Sequence, residues 1–352
     1  MSAQGTLEVM AAAEAGASVS YGYFYNPAAD GKGHLSPCSY LQGKKQSLCS
    51  HSIKTEFSYS PSGLLLYEKV RSFGKKPVPD EEAASLINEL KGKDSFLSTF
   101  LNYHYHHTKN LKFGIASWGD YNSYIFGNIT PALAGKFFAY AGPYMNYARN
   151  TGAPWLRIGV GIRALYMEGF QFYGDALSIY AHRKELKPKD NMSKAFGLYG
   201  DIGALVNYNQ EESHRFRTGL YVRNIGFISR VKSNNSPLGY GNFKRPSAEW
   251  AMGLGYKYVR GDSDLSRLRI FGTYTRDKDK AEHLDPVRLG VVFELRKNLN
   301  LSLGRYHFKP SYGFWFRAEH LRFGYTQYQE VYGTSRFYRR QKIHMLGLEL
   351  VF

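Results

Sequence analysis

Arginine and lysine recur at alternate positions inside apolar stretches, and this pattern carries the most chemistry in the 352-residue chain. Lys112, Arg157, Arg163, Arg217, Arg223, Lys257, Arg267, Arg269, Arg288, Arg296 and Arg322 fall on one parity of their segments, with Asp201, Glu249, Glu294 and Glu349 among them. Cations gathered on one face attract an anionic group such as a carboxylate. The plainer reading of any single arginine is an ion pair that packs an interior. His104, His106 and His107 form a second candidate cluster, Tyr-His-Tyr-His-His. His104 and His106 share a strand face and His107 points away, with no Cys or paired carboxylate nearby, so a strand-end aromatic girdle is expected and no metal or other cofactor. Cys38 and Cys49 are the only cysteines and lack CxxC spacing. They either close a small loop disulfide in an oxidising compartment or stand as two unpaired thiols.

Enzyme motifs are missing. The chain has no Gly-x-Ser-x-Gly elbow, phosphate loop or dinucleotide fingerprint, so no catalytic residue is assigned. The net charge of +17 is spread along strand interiors and not collected into an aromatic-basic patch, which argues against nucleic acid.

The elements that must position these cations are strands. In Leu346, Leu348, Leu350 and Phe352, apolar residues alternate with Met345, Gly347, Glu349 and Val351, a period of two ending on a terminal aromatic. Leu156, Ile158, Val160, Ile162, Ala164 and Tyr166 likewise oppose Arg157, Gly159, Gly161 and Arg163. Mean hydropathy is -0.42 although 43% of residues are hydrophobic, and no run of about 18 apolar residues exists to form a membrane helix. Abundant Tyr (29), Phe (23) and Gly (36) suit strands, tight turns and aromatic girdles.

Counting segments gives fourteen strands, from Ile53–Tyr59 to Gln341–Phe352, with a possible continuation of the first through Gly63–Lys69. Short links such as 150–154 and 261–263 alternate with long ones such as 60–95, 119–136 and 169–193. The sequence therefore predicts an all-β fold: a 14-stranded antiparallel transmembrane β-barrel with short periplasmic turns and long outer loops. An arginine on its lipid face at mid-depth would cost about 2–4 kcal/mol, so the charges are expected in the lumen. Residues 80–91 read as a short amphipathic helix in the first outer loop, with acids at its start. Residues 1–52 show no sustained period and read as an N-terminal plug; 53–352 form the barrel. No signal peptide is visible, and a mature form from which one has been removed is expected.

Three stretches carry a family resemblance. They are Asn26-Pro27-Ala28-Ala29, Ala195-Phe196-Gly197-Leu198 with Asp201-Ile202-Gly203-Ala204-Leu205, and Arg217 to Gly226 ending in Asn224-Ile225-Gly226. In order and spacing the chain resembles the long-chain fatty-acid transporter (FadL-like) superfamily, in the branch with uncharacterised outer-membrane barrels and the type IX secretion shuttle. The resemblance implies a plugged barrel with Asn26, Pro27 and Ala28 as the plug signature, and helical outer loops that first capture a hydrophobic ligand. It departs where Asp30-Gly31-Lys32-Gly33 follows a signature that ordinarily continues apolar.

The expectation is passive outer-membrane transport of hydrophobic compounds, long-chain fatty acids first, by a monomer inserted through the barrel-assembly machinery at its last strand. Arg157, Arg163, Arg217, Arg223, Arg267, Arg269 and Arg288 are the candidate carboxylate-binding residues. The alternatives are a non-conducting protein-binding barrel in secretion or assembly, and a general porin.

Overall fold

Alternation decides the architecture. The computed structural model describes residue 28 and residues 51–73, 79–108, 110–127, 131–175, 192–209, 214–232, 235–236, 239–240, 248–259, 267–277, 287–295, 299–306, 309–318, 320–333 and 338–352. Among them, β1 (His51–Tyr59), β2 (Asp94–His106), β3 (Leu111–Phe126), β4 (Ala132–Asn150), β5 (Leu156–Asp175), β6 (Ser193–Asn209) and β7 (His214–Lys232) form an antiparallel run in chain order. Two two-residue strands follow, β8 (Asn235–Ser236) and β9 (Gly239–Tyr240). The run resumes as β10 (Glu249–Val259), β11 (Arg267–Asp277), β12 (Val287–Leu295), β13 (Leu299–Tyr306), β14 (Lys309–Arg317), β15 (Leu321–Gly333) and β16 (Tyr338–Val351).

β10 pairs with β7, and β16 returns to β1, so the ladder closes on itself. The closure extends to the last residue: His51 N–H donates to the Phe352 carbonyl at 2.9 Å and Phe352 N–H to that of His51 at 3.0 Å. Closure leaves neither edge of the main ladder open, which is how a sheet can sit in lipid. The β8–β9 hairpin stands apart, attached to β5 where Gln171 faces Tyr240 and Phe172 faces Gly239.

The apolar residues point outward. Ile158, Val160, Ile162, Leu198, Ile202, Leu254 and Leu303 are exposed, while Lys54, Lys112, Arg163, Arg223 and Glu349 are buried. This inverts a soluble protein and follows the parity read from sequence: Leu346, Leu348, Leu350 and Phe352 are exposed and Glu349 is enclosed. Aromatics bound the apolar band. At one end His51 stacks on Phe352 with ring centroids 5.6 Å apart, and at the other Tyr59 stacks on His344 at 5.4 Å. From His51 to Tyr59 is about 27 Å along the strand, or about 20 Å along the axis at the roughly 35–45° tilt of barrel strands, a little under the ~25 Å apolar band of outer-membrane barrels. Leu348 lies opposite Thr55, midway between the two. Leu348→Arg is therefore expected to lower stability by about 2–4 kcal/mol in urea titrations of vesicle-embedded protein.

Two features differ from the sequence reading and one agrees. Residues 63–69 do not extend β1; they lie in a helix, α1 (Pro61–Phe73). Ser60 caps it, accepting the Gly63 N–H on its hydroxyl at 3.0 Å, and Pro61 takes the first helical position, where no N–H is needed. A Ser-Pro pair ahead of three leucines suits a turn as well as a helix start, and the cap geometry decides for the helix. The second helix, α2 (Asp80–Leu90), stands where its acidic first turn placed it. Finally, β3, β4 and β5 run 16, 19 and 20 residues, so the link read as 119–136 is mostly strand. Beyond the apolar band the exposed-outside alternation fades although the ladder continues: Ser123, Ile125 and Phe170, on the parity that is exposed lower down, are buried. Against the 8 residues of β13, this makes one wall much taller than the other.

Candidate functional site

The inward face carries paired charges below and between aromatic rings. Arg163 on β5 donates through Nη2 to Asp201 Oδ1 on β6 at 2.7 Å and to Asn224 Oδ1 on β7 at 2.8 Å. Asn224 N–H donates to the same Asp201 oxygen at 2.9 Å. Asn224 has φ 60, the one non-glycine with positive φ among the described residues, a conformation asparagine tolerates better than most. The β6–β7 register shifts between Gly200 and Ile202, so β7 sets two residues, Arg223 and Asn224, opposite Asp201. The aspartate and the asparagine that stood in separate sequence motifs thus meet at one bulge and jointly orient Arg163. The neighbouring pair continues the row: Arg223 Nη2 lies 2.8 Å from Glu249 Oε2, and Tyr221 donates to the other carboxylate oxygen at 3.3 Å.

A second network lies where β15, β16, β1 and β2 meet. Arg322 Nη1 is 3.1 Å from Glu349 Oε2, and Ser52 donates to Glu349 Oε1 at 3.0 Å. Ser52 Oγ also lies 3.3 Å from His104 Nδ1. The order is His–Ser–carboxylate, with the hydroxyl in the middle, whereas a nucleophile triad places the histidine between hydroxyl and carboxylate. Lys54 and Glu56 pair at 2.5 Å one step along β1. The sequence reading left out Ser52, Lys54 and Glu56. Their signal was available, because Ser52, Lys54, Glu56 and Ser58 alternate with Ile53, Thr55, Phe57 and Tyr59.

The candidate arginines divide by position. Arg163, Arg223 and Arg288 are buried on the inner wall, and the first two are engaged by Asp201 and Glu249. Arg157 is half-buried near the β4–β5 turn and donates to the Ala148 carbonyl at 3.1 Å. Arg217 is half-buried on the inward parity of β7. Arg267 and Arg269 lie on β11, but their side chains are outside the described residues, as are Asn26, Pro27, Cys38 and Cys49. Ala28 is described and wholly enclosed.

Aromatic residues line the rest. Trp118 and Tyr140 stack with centroids 5.0 Å apart, in a buried cluster with Phe96, Phe138, Met167, Tyr199, Tyr221, Trp315 and Tyr328. Glycine makes room for them: a Cβ on Gly114 would sit 2.3 Å from the Tyr144 ring, which lies across β3 and donates to Asn102 Oδ1 at 3.0 Å. On the same parity of β3, Tyr124 and Phe126 stack at 6.0 Å and Tyr173 joins Phe126 at 5.8 Å, on the tall part of the wall. The histidine trio separates as its parity requires. His104 and His106 meet edge-on at 5.3 Å inside, whereas His107 lies against Tyr105 and Phe113 on the outer surface. No group of three metal-ligating side chains exists among the described residues. Neutralised cations among aromatic rings offer little to water and much to a hydrophobic molecule.

No protein-family model and no curated protein matches the sequence. Solved structures do. The toluene transporter TodX of Pseudomonas putida aligns over 100% of this chain and 98% of its own at 7% identity and TM-score 0.51. The toluene transporter TbuX of Ralstonia pickettii aligns over 99% and 98% at 10% identity and TM-score 0.48. At such identities the likeness concerns the fold alone, and the chain has the barrel fold of TodX.

Proposed function

We propose that this chain is a bacterial outer-membrane channel for hydrophobic compounds, long-chain fatty acids first. In this reading the barrel proper has fourteen strands, with β8 and β9 lying in an outer loop, and residues 1–52 fold into the lumen as a plug. The observation that carries it is the inverted wall: an apolar outside around an inside of stacked aromatics and acid-paired arginines. The complete enclosure of Ala28 supports a plug, and the toluene transporters sharing the fold support a hydrophobic cargo. The exposed Tyr67 and Val70 of α1 make a greasy first contact on the outer side. A fatty-acid carboxylate would then be handed to the inward-parity arginines, Arg157, Arg163, Arg217, Arg223 and Arg288 among them.

Uptake of labelled oleate into liposomes tests this. Arg157→Gln with Arg217→Gln is expected to slow uptake about tenfold, the loss of one charge-assisted contact, and deletion of residues 1–50 to alter its rate. Uptake unchanged by both would overturn the mechanism. The second reading, a non-conducting barrel that binds proteins in secretion or assembly, draws on the height of the β3–β5 wall; it predicts no uptake at all and capture of a partner through the outer loops.

A further inference from the structure

The inner wall does not exhaust the chemistry of this chain. The β4–β5 hairpin, on the short-turn side, carries a recess of about 540 Å³ on its outer surface. Tyr147, Arg149, Ile158 and Val160 line it together with Asn150 and Thr151 of the turn. Tyr147 faces Val160 and Arg149 faces Ile158 across the ladder, and Tyr147, Ile158 and Val160 are all exposed on the apolar parity. Arg149 is exposed on that parity too and makes no ion pair among the described residues.

An arginine aimed into hydrocarbon is costly, but near the interface the cost falls to about 0–1 kcal/mol. Arg149 lies one ladder pair from the turn, so its guanidinium reaches headgroup level while Ile158 and Val160 stay at acyl level. Guanidinium forks match phosphate oxygens, and the phenol of a tyrosine belongs at the same boundary.

We propose that this recess binds one anionic phospholipid of the leaflet on the short-turn side. Arg149 holds the phosphodiester, the polar turn accommodates the glycerol headgroup, and an acyl chain lies over Tyr147, Ile158 and Val160. A free phosphate would leave that apolar floor bare, which is why the occupant is a lipid and not a soluble anion. The inference rests on the reading that the outer face meets membrane.

Native mass spectrometry of the detergent-purified full chain tests it, using phosphatidylglycerol, phosphatidylethanolamine and acyl-free glycerophosphate as probes. The wild type is expected to retain one phosphatidylglycerol in preference to phosphatidylethanolamine. Arg149→Ala should lower that adduct about tenfold, the scale of a lost charged hydrogen bond. Arg149→Lys should keep most of it, and Lys69→Ala on the exposed face of α1 should change nothing. An unchanged adduct in Arg149→Ala, an equal fall in Lys69→Ala, or glycerophosphate binding as well as the lipid would each overturn the site. Folding into vesicles, read separately by heat-modifiable gel migration, distinguishes that failure from failure of the membrane reading, in which the wild type itself would not insert.

Discussion

Gly142→Ala is expected to abolish folding of the barrel, at a cost of about 3 kcal/mol or more. Pro143 sits inside β4 and has no N–H, so the β4–β5 pairing lapses between the Ala141–Tyr166 and Tyr144–Arg163 pairs. The two backbones close in at the gap, and a Cβ on Gly142 would stand 1.8 Å from the Ala164 carbonyl oxygen. No side chain can rotate away to relieve this, because the obstacle is backbone in the neighbouring strand. On the other side β4 stays in register, with Gly142 facing Ala116 and Pro143 facing Ile115, so β4 cannot retreat without opening β3. The fraction of heat-modifiable protein after refolding into vesicles measures the effect. Gly152→Ala in the β4–β5 turn, where a Cβ would meet nothing within 4 Å, is the control and should fold normally. Equal yields from the two variants would contradict the packing described here.

Asp201→Ala should cost a similar amount, about 3–5 kcal/mol, by leaving a buried cation without its counter-charge. Two groups lose their acceptor at once, the Arg163 guanidinium and the Asn224 N–H. The second is the more informative loss, since Asn224 holds a positive φ that the aspartate helps to fix. Removing both charges, as Arg163→Met with Asp201→Leu, should recover much of the stability, because a well-packed apolar pair replaces an ion pair at little net cost. Urea titrations of the singles and the double give the coupling; additive losses would mean that the two residues do not act as a pair.

The parts of the fold set by local alternation were legible in the sequence. The parity of β16 and β5, the inward glutamate at 349 and the acidic start of α2 all follow from a few neighbouring residues. α1 was hidden because Ser60-Pro61 suits a turn as well as a helix cap, and only the Ser60 hydroxyl, which accepts the N–H groups of both Gly63 and Phe96, distinguishes them. The tops of β3 to β5 were hidden because the apolar–polar alternation that marks a strand fades there, and only the ladder itself shows that the strands continue. At the site, the sequence marked which arginines face inward but not which acid each would meet. Arg163 and Asp201 are 38 positions apart, and Arg322 and Glu349 are 27 apart, so their pairing depends on register. The Asn224 bulge is a case of the same kind: the Asn-Ile-Gly motif was visible, whereas its function appears only once β6 lies beside β7.

The central claim, a passage for hydrophobic compounds and not for solutes at large, is tested most directly by comparing two fluxes through the same purified chain. Planar-bilayer conductance in simple salt reports an open aqueous path, and liposome uptake of a labelled hydrophobic compound reports the proposed one. The account predicts low conductance together with protein-dependent hydrophobic uptake. A large, steady ion conductance from the full chain, with hydrophobic uptake no faster than in protein-free liposomes, would contradict it and identify a general porin instead.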